Sequence, residues 1–170
     1  MKIISSVEKD LEKDFLDKID KNQNIIHKIC RAYTSDEDSH KDLFQEITIQ
    51  LWQAYGSFRG EAKFTTWMYR VALNTAISIY RKKSRQVNTS SMDEYNFQVA
   101  YKPYDSTEEE QLELIYKAIQ QLSDIDKALI LLFLEDKSFK EIGETLGISY
   151  VNARVKMMRA KEKLKKIIGV

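Results

Sequence analysis

The sequence predicts an all-α fold in two small helical domains joined by a flexible linker, on three observations. Apolar residues recur at three- and four-residue spacing through most of the 170 residues. Only five Gly and one Pro interrupt that period. The period then fails once, between about residues 86 and 106, which divides the chain into two helical stretches.

A first helix is expected over 7–33, with Phe15, Ile19, Ile25, Ile26 and Ile29 as its apolar positions. A second is expected over 41–55, where Leu43, Ile47 and Leu51 fall at i, i+4 and i+8, flanked by Phe44 and Trp52. "GSFRGEA" (56–62) follows as a loop, and a third helix is expected over 65–83. The stretch 86–106, "QVNTSSMDEYNFQVAYKPYDS", is polar and holds the single Pro. It reads as a linker, since structureless loops of that length are uncommon inside compact domains. Its Tyr95, Phe97, Tyr101 and Tyr104 are the residues by which part of it could dock. Four more helices are expected over 111–122, 124–136, 138–147 and 149–168. The expected division is a first domain over 1–86, a linker over 87–110 and a second domain over 111–170.

Net charge is +1, so the total says nothing about partners, but the distribution does. Residues 62–92 hold six bases and no acid, and residues 149–170 hold seven bases against Glu162 alone. Two basic blocks separated by acidic stretches suggest two surfaces for a polyanion. Cys30 is the only cysteine, which excludes an internal disulfide and fits a reducing compartment. His27 and Cys30 share a helix face, but two ligands alone do not make a metal site, and neither a metal nor a cofactor is expected. No apolar run approaches the roughly 20 residues that cross a bilayer, and "MKIISSVEKDLEKD" is too acidic for a secretion signal. A cytoplasmic protein with no membrane insertion is expected. No nucleophile–base pair and no phosphate-cradling glycine loop is visible, so catalysis is not expected.

The carboxy-terminal stretch carries the clearest local grammar. Ser138 followed three residues later by Glu141 is a capping box. Gly143 is small where two helices cross closely, Gly147 supplies a turn, Ile148 plugs the core and Ser149 caps the next helix. This is the pattern of a helix-turn-helix, whose second helix enters the DNA major groove. Ala153, Met157, Ala160 and Leu164 would face inward. Tyr150, Asn152, Arg154, Lys156, Arg159 and Lys161 would face outward. Arg and Asn can pair with base edges, Lys mainly contacts phosphate, and Ser149 with the free amides at the helix start suits a phosphate.

"DLFQEITIQLW", "SFRGEAKFTTWMYRVALNTA", "YRKKSR" and "SFKEIGETLGISYVNARVKMMRAKEKLK" occur in this order and spacing, and the chain thereby resembles the extracytoplasmic-function (ECF) sigma factors. These are bacterial transcription-initiation subunits with two helical domains. The resemblance covers nearly everything beyond about Phe15 and is strongest over 57–76. It implies that Asp42, Gln45, Glu46 and Gln50 dock on core RNA polymerase. It implies that the second domain reads the minus-thirty-five element of promoter DNA, with Val155 and Met158 added to the residues above. The stretch from Ser57 through Ala76 would open and read the minus-ten element, and an anti-sigma factor is a further expected partner.

The minus-ten role accounts for an odd composition. Melting a duplex means capturing a base swung out of the stack. Phe58, Phe64 and Trp67 can offer aromatic surface; Thr65, Thr66 and Asn74 can offer hydrogen bonds. Arg59, Lys63 and Arg70 can offer charge, and Lys82, Lys83 and Arg85 would hold adjacent backbone. In the family the matching asparagine contacts a flipped base, a role the resemblance carries to Asn74. The residues alone leave open which aromatics are core and which touch DNA. They depart from the family in Ser39-His40-Lys41 ahead of Asp42, and in Ala153 and Val155. Two rivals also remain: a stand-alone repressor or activator using only the helix-turn-helix, and a helical interaction protein that never touches DNA. Neither needs a base-capture mouth.

Overall fold

A computed structural model of the chain describes residues 2–87 and 107–169. Seven helices and no strand occur among these residues. The first lobe is α1 (Lys2–Tyr33), α2 (Glu37–Tyr55) and α3 (Phe64–Val87). The second is α4 (Glu108–Gln120), α5 (Asp124–Leu134), α6 (Phe139–Leu146) and α7 (Tyr150–Ile168). Most of the expected linker, with its four aromatics, lies outside the described residues.

Several helices begin earlier than apolar spacing predicts, because polar caps start them. Asp36 accepts the Ser39 amide at 2.8 Å, and Glu37 and Asp38 occupy the first turn of α2, four residues ahead of the predicted start at 41. Negative charge there meets the positive end of the helix dipole. Thr107 accepts the Glu110 amide at 3.3 Å and opens α4 on Glu108, Glu109 and Glu110. α1 reaches back to Lys2, five residues ahead of the predicted start at 7.

In the first lobe, Ile26, Ile29, Ile47, Leu51, Met68 and Leu73 are fully buried between the three helices. In the second, Ile119, Leu129, Leu132, Ile142 and Met157 do the same. Each such side chain contributes about 1.5–3 kcal/mol through removal from water.

The lobes close on one another. The Tyr33 hydroxyl donates to the Asp124 carbonyl at 2.6 Å. Gln120 Nε2 donates to the carbonyls of Arg31 and Thr34 at 2.8 and 2.7 Å. Lys28 pairs with Glu135, and the Arg31 guanidinium lies 4.5 Å from the Tyr116 ring centroid. Lys127 is buried against Tyr33 and Tyr80, with its Nζ 5.1 and 5.9 Å from their centroids. Burial lowers its pKa from the ordinary lysine value, and Asp124 partly opposes that shift.

Cys30 is buried, and burial pushes its thiol up to about 12. His27 turns instead to His40, with Nδ1 and Nε2 3.0 Å apart. Among the described residues, no group of three or more His, Cys, Asp or Glu side chains is placed to hold a metal ion. No described helix is long and apolar enough to cross a membrane.

Candidate nucleic-acid interface

Phe58, Phe64 and Trp67 converge where the loop after α2 meets the start of α3. Their ring centroids lie 5.8 Å (Phe58–Phe64), 5.0 Å (Phe58–Trp67) and 5.4 Å (Phe64–Trp67) apart. All three are half-buried, as are Thr65 and Thr66, so the rings pack on the core by one side and open to solvent by the other. Each of the three aromatics is thus part core and part surface. The loop is held by backbone bonds from Ser57 and Phe58 to the end of α2, and Gly60 takes φ +72°. Beside the rings lies an open pocket of about 360 Å³ lined by Ser57, Phe58, Arg59, Glu61, Ala62, Trp67 and Arg70.

Along α3, Trp67, Arg70 and Asn74 lie at i, i+3 and i+7, one above another on the open face. Met68, Ala72, Leu73 and Ala76 take the buried face. The Asn74 side chain is exposed and bonds to no other described residue, rather than tying α3 to a neighbouring helix. Arg59, Lys63, Lys82, Lys83 and Arg85 are exposed. Lys82 lies about 22 Å along the helix from Trp67, at about 1.5 Å per residue.

On α2, Asp42 and Gln45 are exposed, while Glu46 and Gln50 are half-buried and joined by a 3.0 Å bond from Gln50 Nε2 to Glu46 Oε1. Ile49 and Trp52 are exposed on the same helix, 47% and 41%, although the apolar spacing places Trp52 beside the core stripe.

In the second lobe the capping box is formed in both directions: the Ser138 amide donates to Glu141 at 2.8 Å and the Glu141 amide to Ser138 at 3.3 Å. Gly147 takes φ +68°, and Ser149 caps α7 by accepting the Asn152 amide at 3.2 Å. Ala153, Met157 and Ala160 are buried against α5 and α6. Lys163 clamps α7 to α5 through Asp126 at 2.7 Å. Tyr150, Asn152, Arg154, Val155, Met158 and Arg159 are exposed; Lys156 and Lys161 are half-buried. The Lys161 ammonium sits 3.5 Å from the Phe133 ring centroid, so part of its charge is engaged on α5, and the Arg154 guanidinium lies 5.9 Å from the Tyr150 centroid. A groove of about 470 Å³ runs along this face between Phe139 and Arg154, Val155 and Met158.

Residues 19–86 match the Sigma-70 region 2 family and residues 112–164 match the Sigma-70, region 4 family. The ECF RNA polymerase sigma-E factor of Haemophilus influenzae is 27% identical over 171 aligned residues, covering 94% of this chain and 90% of that protein. The chain belongs to the ECF sigma factor family. The sigma-E factor of Escherichia coli K12 is 28% identical over the same 94% of the chain and 89% of its own length. The RNA polymerase sigma-H factor of Pseudomonas aeruginosa is 28% identical over 87% of the chain and 82% of its own length. Among solved structures, the sigma factor RpoE of Bartonella quintana, determined with the anti-sigma factor NepR, superposes with a TM-score of 0.70 at 20% identity. That superposition covers 93% of this chain and 98% of RpoE. CnrH, determined with the cytosolic domain of CnrY, superposes at 0.63. This ECF sigma factor is therefore a non-enzymatic, DNA-binding subunit for transcription initiation.

Proposed function

We propose that this ECF sigma factor brings core RNA polymerase to promoters in the cytoplasm. Its first domain (1–86) opens the minus-ten element, its second (111–170) reads the minus-thirty-five element, and 87–110 joins them. Docking on the polymerase falls to Asp42, Gln45, Glu46 and Gln50, with Ile49 and Trp52 adding apolar contact.

The observation that carries this reading is the pocket at the mouth of α3. Its roughly 360 Å³ falls within the range of about 300–1,000 Å³ typical of small-molecule sites. Extruding a base costs a few kcal/mol, and stacking on an aromatic face returns about 1–3 kcal/mol. Here rings, a carboxylate (Glu61), an amide (Asn74) and two guanidiniums (Arg59, Arg70) stand on one open surface. The carboxylate can accept from an exocyclic amine and the guanidiniums can hold the displaced strand. Control by an anti-sigma factor is part of the proposal, supported by the solved complex of RpoE with NepR. The exposed strip of Val151, Val155 and Met158 is the apolar surface such a partner would cover.

Run-off transcription with purified core polymerase over a promoter library tests the reading. Arg154→Ala is expected to relax upstream sequence preference by about 1–3 kcal/mol of discrimination. A chain that directs core polymerase to no promoter, yet binds duplex tightly by itself, would instead be the stand-alone regulator.

The closed lobes add a geometric condition. Minus-ten and minus-thirty-five elements are about 25 base pairs apart, or roughly 85 Å of B-DNA. A compact 170-residue chain has a radius of gyration of only about 15 Å. Both elements cannot be held at once unless the lobes part. Tyr33→Phe with Gln120→Ala removes interlobe hydrogen bonds worth about 1 kcal/mol each. The double variant is expected to show a larger solution radius by X-ray scattering and tighter promoter binding without polymerase. An unchanged radius and affinity would show that closure does not restrain binding.

A further inference from the structure

The rings of the base-capture mouth share one support. Tyr55, the last residue of α2, is 5% exposed. Its centroid lies 6.4 Å from Phe58, 6.2 Å from Phe64 and 6.1 Å from Trp67. Helical bonding does not fix this ring, since α2 ends here and the chain turns into the loop. What fixes it comes from the amino-terminal part of α1. The Tyr55 hydroxyl donates to Asp14 and accepts from Lys18 Nζ at 2.8 Å, so its donor and one acceptor site are both used. Lys18 and Asp14 close the triangle at 2.9 Å. Phe15 packs its ring 5.2 Å from Tyr55, and Lys18 Nζ lies 5.3 Å from the Tyr55 centroid and 5.8 Å from that of Phe64.

We propose that Asp14 and Lys18 are positioning residues for promoter opening. By holding the Tyr55 hydroxyl they set the ring on which Phe58, Phe64 and Trp67 rest, so the mouth is shaped before a base arrives. The inference rests on the base-capture reading above. Both residues precede position 19, where the region 2 match begins. A loose mouth would have to be ordered at the moment of capture, and that ordering subtracts from affinity. The triangle removes this requirement. Asp14 is exposed and Lys18 half-buried, and neither belongs to the core, so both can be changed without opening it.

The test is a cycle between protein variants and DNA, with the full chain on core polymerase. Holoenzymes carrying wild type, Tyr55→Phe, Asp14→Asn or Lys18→Met bind promoter forks whose minus-ten strand is intact or abasic at one position in turn. Removing the captured base is expected to weaken wild type about 10-fold, as loss of a stacked base does. In the three brace variants that abasic penalty is expected to fall below about 3-fold, because a displaced mouth no longer distinguishes base from no base. Polymerase affinity and the thermal midpoint should stay near wild type. Tyr55→Phe is the sharpest arm, since it keeps the ring and deletes only the hydroxyl. If the variants weaken binding but retain the full abasic penalty, their role is structural only and the proposal fails. If wild type shows no abasic penalty anywhere, the base-capture reading fails with it.

Discussion

Asn74→Ala lowers promoter opening by roughly 5- to 150-fold, the 1–3 kcal/mol of a well-placed pair of bonds to a base edge. The amide stands two helical turns above Trp67 on the open face of α3, exposed and with no bond to another described residue. It therefore supports nothing in the folded chain, and the substitution should leave the thermal midpoint and polymerase affinity unchanged. The whole effect should fall on the step in which a base leaves the stack. Permanganate reactivity of unpaired thymines on a duplex promoter measures that step directly. Unchanged reactivity would mean that the base edge is read by another side chain, with Glu61 of the pocket lining and Thr65 and Thr66 in the first turn of α3 as the alternatives.

Gly143→Ala disables the second lobe by a different route. A Cβ at this position would lie 2.6 Å from the Ile148 carbonyl oxygen, with Ser149 and Tyr150 backbone atoms at 3.6 Å. Those atoms belong to the turn that aims α7, and Ile148 is tied back to the Gly143 carbonyl at 2.9 Å. No flexible side chain is available to yield, so the turn itself must shift. Overpacking of this kind costs typically about 1–3 kcal/mol. For a chain of this size that corresponds to a fall in midpoint of about 2–12 °C in thermal unfolding. Minus-thirty-five recognition should fall more than stability does, because Ser149, Tyr150 and Asn152 move with the turn. Gly56→Ala is the matched control: nothing lies within 4 Å of its Cβ position and its φ is −60°, so the same change there should be nearly silent. Equal midpoints for the two variants would show that the turn tolerates the methyl group.

Much of the second lobe is legible in the residues because its signals are local. Ser138 and Glu141 are three apart, Gly147 stands at a helix end that requires positive φ, and Ala153, Met157 and Ala160 repeat at helical spacing. The starts of α2 and α4 are less legible, since apolar periodicity is blind to polar caps at Asp36 and Thr107. Tyr55 could have been noticed, as it continues the Leu43, Ile47 and Leu51 series by one more step of four. What the series does not say is that its hydroxyl meets Asp14 and Lys18, 41 and 37 positions away.

By itself, then, the sequence determined the helices, their inward stripes, the turn of the second lobe and the family to which the chain belongs. All of these rest on neighbours within a turn or two, or on motifs read in order. Only the tertiary structure decided that Phe58, Phe64 and Trp67 are each half packed and half open. It alone joined Tyr33 to Asp124 and Gln120 to Arg31 and Thr34, partners 86 to 91 positions apart. The reason is physical: a ring's exposure and a lobe's partner depend on which distant surfaces meet when water is expelled, and a single string of residues does not record that meeting.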